Sequence, residues 1–178
     1  KGLAFSPDEK TLASAGVDRV IQLWRTSDGA PAGELVRYFQ EASGVAFSPD
    51  GRCLLSAGDD RNLHIWYPAT QQSTCIPTPT TQAISTLAFV NSQRVLFGLG
   101  ERGSQIAAPN TLFFLDLLTS KISPFPFSVV NGISALATFP ERKMVAWGTD
   151  NRLLRVQCLT RGPSKATSVQ HAPRAIAF

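Results

Sequence analysis

Asp59, Asp60 and His64 lie close together in the chain. Two carboxylates beside an imidazole could relay a proton or share a cation. The bland alternative is that Asp60 clamps a turn and that His64 is a strand residue whose partners face outward. Ser48 and Ser56 could serve as nucleophiles only on a sharp Gly-x-Ser-x-Gly elbow, and neither has one. The stretch "GLGERGSQ" (98–105) has glycines that could bring backbone N–H groups to a phosphate. No Lys-Ser/Thr pair follows it, however, and no helix opens after it. Cys53, Cys75 and Cys158 are far apart, and no CxxC pair exists. Neither His64 nor His171 has companions at metal-ligand spacing. The expectation is no catalytic residue, no cofactor and no metal.

What must position these residues is a repeat. "GLAFSPDEKTLASAGVDRVIQLW" (2–24) and "GVAFSPDGRCLLSAGDDRNLHIW" (44–66) share thirteen of twenty-three residues. The pair Ala-Phe recurs at 4–5, 46–47 and 88–89, each time after 42 residues. In "ALATFPE" the matching alanine, Ala137, stands 49 residues further on, and Ala177 of the closing "AIAF" another 40. This predicts four units and the first strand of a fifth. Within a unit the apolar residues alternate with period two, as in strands. "SPDG" supplies a tight turn, "RCLLSAG" a second strand, "DDRN" another turn and "LHIW" a third strand ending on an aromatic. Fourth strands follow near 33–38, 72–78, 121–128 and 165–170. Pro77, Pro124 and Pro126 fall in them, and proline cannot donate to a ladder, so these strands are outer edges. Residues 110–121 could also be read as a helix. A third strand is preferred there, because Leu115 stands 49 residues after Trp66.

These motifs, "AFSPDG" with "AFSPDE", "LLSAG" with "LASAG", then Asp60 or Asp18, then Trp66 or Trp24, resemble the WD-repeat β-propeller family. The resemblance implies an all-β propeller of four-stranded antiparallel blades. About four are present, near 1–40, 41–80, 81–130 and 131–172, with the first strand of another at 173–178. It also implies a larger ring of seven or eight blades, completed by further blades or by a second copy. In that family a third-strand Trp, a second-strand Ser or Thr, a turn Asp and a His from the preceding loop form a hydrogen-bonded set. Carried over, the set comprises Ser14, Asp18 and Trp24 in the first unit, Ser56, Asp60 and Trp66 in the second, and Asp150 alone in the fourth. The chain departs from the family at the Gly-His pair, whose place is held by Arg37-Tyr38 and Pro79-Thr80. Gly98 falls at the serine's place in the third unit, and Ala146 and Val156 at those of the serine and tryptophan in the fourth. The full set is therefore expected in none of the units whose preceding loop lies within the sequence.

Seven extra residues are expected between the second and third strands of the third unit, within 101–110. By the resemblance that turn lies on the usual binding face. The candidate partner-contacting residues are Arg19, Asp59, Arg61, Glu101, Arg102, Gln105 and Trp147. Against them stand a neutral loop insertion, solvated arginines, and burial as the commoner fate of a tryptophan.

Composition narrows the partners. The 178 residues carry a net charge of +4, and their basic residues are scattered singly, which argues against a nucleic-acid footprint. No apolar run is long enough to cross a bilayer. Only 17% of residues are charged, below the usual fraction, so some surface is expected to be covered. Unpaired cysteines fit a reducing, cytoplasmic setting. The function expected is a non-catalytic protein-interaction scaffold or docking module that binds a protein or peptide on the propeller face. The alternative is an accessory domain of an enzyme or signalling NTPase or kinase whose chemistry lies elsewhere.

Overall fold

The Ser-Pro-Asp runs turn the chain by the same local bonds in both units. Ser6 Oγ donates to Asp8 Oδ1 at 2.6 Å, while the N–H groups of Thr11 and Lys10 return to Ser6 Oγ and Asp8 Oδ1. Ser48, Asp50, Arg52 and Cys53 repeat the set, with Ser48 Oγ 2.7 Å from Asp50 Oδ1. The serine hydroxyls and these N–H groups hold Asp8 and Asp50 below the usual carboxylate range. Gly51 takes the left-handed corner of the second turn at φ 70°, and Glu9 accepts the same corner at φ 59°.

The computed structural model describes residues 2–37, 41–100, 111–126, 129, 132–149, 151–159 and 165–168. The first sheet comprises β1 (Gly2–Phe5), β2 (Thr11–Ala15), β3 (Val20–Arg25) and β4 (Pro31–Arg37). The second comprises β5 (Ala42–Phe47), β6 (Leu54–Gly58), β7 (Asn62–Tyr67) and β8 (Gln72–Pro77). The third comprises β9 (Ile84–Asn91), β10 (Arg94–Leu99), β11 (Leu112–Asp116) and β12 (Lys121–Pro124). The fourth comprises β13 (Ile133–Phe139), β14 (Met144–Thr149), β15 (Leu153–Cys158) and β16 (Lys165–Ser168). Every sheet is antiparallel with its strands in chain order. Residues 112–116 pair on both sides as a strand, which removes the helical reading. Among the described residues no helix is long and apolar enough to cross a membrane. The fourth strands are edges, and Pro31, Pro77 and Pro124 lie in three of them. The fifth-unit strand expected at 173–178 lies outside the described residues.

Alternation sends one side of each sheet to the preceding sheet and the other to the following one. Ala13, Ala15 and Ile21 of the first sheet meet Val45, Leu54 and Trp66 of the second. Leu55, Ala57 and Leu63 meet Phe89, Val95, Phe97 and Leu115. Leu96, Leu112 and Phe114 meet Leu136, Val145 and Trp147. These layers hold a chain of sheets none of which could stand alone. Serines at the bulges of the first strands join the sheets further. Ser43 Oγ donates to the Ile84 carbonyl, and Ser85 Oγ to that of Ile133. Thr138 Oγ1 donates back to the Phe89 carbonyl. The outward side of the first sheet is open, with Leu3 70% and Phe5 65% exposed. Their counterparts in the second sheet are Val45, which is buried, and Phe47, which is half-buried.

The ladders correct the register expected for later units. Four residues separate Gly58 from Leu63, and twelve separate their counterparts Leu99 and Leu112. The extension is thus eight residues, because the first turn of the third sheet is one residue shorter. The same shortening puts Phe97, not Gly98, in the place of Ser56. In the fourth sheet Trp147 stands in the place of Ser56 and Gln157 in that of Trp66, rather than Ala146 and Val156.

Candidate functional site

The turn from β6 to β7 begins at Gly58, whose neighbour Asp59 donates its N–H to the Glu41 carbonyl at 3.1 Å. Asp60 Oδ1 then accepts the Asn62 N–H at 3.2 Å, the local clamp that starts β7. Its other oxygen lies 2.7 Å from His64 Nε2. Ser56 and His64 are direct partners across the β6–β7 ladder, so they share a face with Trp66. Trp66 Nε1 donates to Ser56 Oγ at 3.0 Å. The rings of His64 and Trp66 lie nearly parallel, at 12°, with centroids 6.4 Å apart.

This overturns the outward placement of His64. Its side chain is 19% exposed and that of Asp60 is 15% exposed. The histidine that the resemblance places in the preceding loop is here supplied by the strand itself, two residues before the tryptophan. The sequence held one signal for it: a strand residue four after the turn aspartate can fold back over it.

The other sheets fill the same places differently. In the first, Trp24 Nε1 donates to Ser14 Oγ at 2.9 Å, but Gln22 stands where His64 does. Gln22 turns to the Leu23 and Gly33 carbonyls, and Asp18 keeps only the Val20 N–H at 3.4 Å. In the third, Phe97 and Phe113 stack at 5.7 Å where Ser56 and His64 bond, and Leu115 replaces the tryptophan. In the fourth, Trp147 is 1% exposed and meets the edge of Phe125 at 5.5 Å. It is a core residue, so its candidacy as a surface contact falls. Its Nε1 has no hydrogen-bond partner among the described residues.

Cys75 stands opposite His64 in the β7–β8 ladder. It does not make an activated thiol. Burial and the Asp60 charge both push the Cys75 pKa up, whereas a nucleophile needs a thiolate. Among the described residues no three His, Cys, Asp or Glu side chains are grouped to hold a metal ion. A cleft of about 530 Å³ opens between the first two sheets, over Leu23, Leu35, Phe47 and Leu54. It lies at the end of the Ser-Pro-Asp turns, away from Asp60.

Burial opposes ionisation of Asp60, but bonds from His64 and the Asn62 N–H outweigh it and hold the carboxyl below its ordinary range. A depressed folded pKa contributes stability that is present above the unfolded value, near 4, and lost as pH falls through the folded value. Replacing Asp60 with alanine is therefore expected to cost about 1–3 kcal/mol near neutral pH. The difference from the parent should shrink below about pH 4, as read from urea midpoints across pH.

Of the residues expected at the rim, Arg19, Asp59 and Arg61 are exposed in the turns between second and third strands. Glu101, Arg102, Gln105 and Asp150 lie outside the described residues. The ladders give Asn151, not Asp150, the place of Asp60. The family model described as "WD domain, G-beta repeat" matches residues 1–25 and 34–67. No curated protein matches the chain.

Proposed function

The chain carries WD40 repeats in its first two sheets, and we propose that it is a non-catalytic module that docks a protein or peptide on the rim formed by its turns. WD40 repeats in general mediate protein–protein contact and are typically without catalysis. The observation that carries the reading is the repeat match, laid on sheets whose apolar faces are spent on one another. The turns stay free to touch another molecule, and loops on a rigid scaffold commonly bind. Arg19, Asp59 and Arg61 are the contacts favoured among the described residues, joined by Glu101, Arg102 and Gln105 of the eight-residue extension. The open side of the first sheet supports a second contact. Its Leu3 and Phe5 fit a further sheet of the same kind, from other blades or a second copy. Free cysteines at 53, 75 and 158 fit a reducing, cytoplasmic setting.

Affinity capture with the chain and with a variant lacking residues 104–109 tests the rim. The variant is expected to fold, since surface loops tolerate changes in length, and to retain its partner about tenfold less well. If the deleted form keeps every partner at full strength, the extension has no part in binding.

A further inference from the structure

The serines that join one sheet to the next end on a serine with nothing to join. Ser43 and Ser85, at the bulges of β5 and β9, donate to the Ile84 and Ile133 carbonyls of the following sheet. Ser134 holds the same place in β13, between Ile133 and Ala135 where the register shifts. Its Oγ is buried and has no hydrogen-bond partner among the described residues. A hydroxyl shut away from water with no acceptor is costly, so the joint calls for a further carbonyl.

The same side of the fourth sheet is covered in part. Leu136, Val145 and Trp147 face the third sheet, so Ala135, Ala137 and Ala146 face away from it. All three are buried, yet none belongs to the three layers between described sheets. Leu154 and Val156 of β15, on that same side, are only half-buried. Their counterparts in the third sheet, Leu112 and Phe114, are buried. Cover thus reaches β13 and β14 and stops short of β15. A single first strand leaves this pattern, because each lies over the first two strands of the sheet before it: β9 meets β5 and β6, and β13 meets β9 and β10.

The sequence holds such a strand. "AIAF" (175–178) repeats the "GLAF", "GVAF" and "TLAF" of β1, β5 and β9. In both complete joints the accepting carbonyl stands four residues before the matching alanine, Ile84 before Ala88 and Ile133 before Ala137. Four before Ala177 stands Pro173, which lacks a donor but keeps its carbonyl. We propose that residues 173–178 lie as a further first strand on the outward side of the fourth sheet, with the Pro173 carbonyl accepting from Ser134 Oγ. The placement does not depend on what the rim binds. The two ends of the series then differ, since Leu3 and Phe5 leave the first sheet uncovered.

A cysteine pair tests it in the full chain. A Cβ at Gly44 would meet Leu87 of the next sheet at 3.5 Å, and Ala135 and Ile176 hold the same places relative to Ala137 and Ala177. Ala135→Cys with Ile176→Cys should therefore close a disulfide on oxidation. Mass spectrometry of the linked peptides separates it from links to Cys53, Cys75 and Cys158. Ala135→Cys with Ala175→Cys, whose second side chain points to the other side of the strand, should give about tenfold less. A chain ending at residue 172 should melt about 5 °C lower than the full chain. Ser134→Ala should lower the melt of the full chain by about 2–4 °C and leave that of the shortened chain unchanged, because its acceptor is gone. Absence of the 135–176 link, equal yield from the two pairs, or an unchanged melt on shortening overturns the proposal. So does a link that joins two chains, which a non-reducing gel resolves, because a second copy then occupies the face. An equal effect of Ser134→Ala in both lengths overturns the Pro173 bond.

Discussion

Trp147→Ala is expected to cost about 3–5 kcal/mol, the range for removing a large buried aromatic from a packed core. The indole is 1% exposed and fills the layer between the third and fourth sheets with Leu96, Leu112, Phe114 and Phe125. Against a total stability of about 5–15 kcal/mol, such a loss lowers the urea midpoint by roughly 2 M. The damage should also be local. The first strands meet in series, β1 with β5, β5 with β9 and β9 with β13. In such arrays stability is a sum over units and their neighbouring interfaces. Amides of β13–β15 are therefore expected to lose exchange protection before those of β6 and β7.

The conservative change separates packing from hydrogen bonding. Trp147 Nε1 is buried without a partner among the described residues, so phenylalanine removes a desolvated donor along with some volume, and Trp147→Phe should cost less than about 1.5 kcal/mol. Trp66→Phe also forfeits the 3.0 Å bond to Ser56, and is expected to be worse by about 1 kcal/mol. If the two phenylalanine variants melt alike, the bond contributes nothing net.

Gly58→Ala is the second large effect, expected at about 3 kcal/mol or more. A Cβ at Gly58 would lie 2.0 Å from the Glu41 carbonyl oxygen and 2.9 Å from Ala42 Cα. Both are backbone atoms of the chain entering β5, so relief requires moving the strand. The displaced carbonyl is the acceptor of the Asp59 N–H, so the turn bearing Asp59, Asp60 and Arg61 should shift with it. Gly44→Ala is the matched control. Its Cβ would meet Leu87 atoms at 3.5 Å and beyond, an ordinary contact. Alanine restricts the unfolded chain at both positions, which favours the variant by about 0.4–1 kcal/mol where no clash opposes it. Thermal melts of the two variants should therefore move far apart, with Gly44→Ala at or above the parent.

Much of this fold was legible because two units share more than half of their residues over 23 positions and strand alternation survives in the others. The Ala-Phe spacing located all four sheets, and Pro77 and Pro124 marked two edge strands, whereas Pro126 lies past the end of β12. The spacing failed by one residue where identity misled. A ruler anchored in first strands cannot see a turn shortened by one residue, so Gly98 was read at the place of Phe97. In the fourth unit Asp150 drew the register towards itself, although the ladders give Asn151, which accepts from Thr149 Oγ1, the place of Asp60. The hydrogen-bonded set was half legible. The tryptophan–serine pairs follow from strand spacing, whereas the Asp60–His64 pair depends on a turn folding back over a strand. Trp147 was ambiguous because one tryptophan suits a core or a surface equally well, and only the neighbouring sheet decides.

An outermost strand offers unsatisfied backbone groups to any extended chain that meets it, the route by which β proteins seed fibrils. Pro31, Pro77 and Pro124 each delete a donor from such a strand in three of the four sheets. An intruding strand meets a row of bonds with gaps in it, so growth by intermolecular templating is discouraged along three of the four sheets.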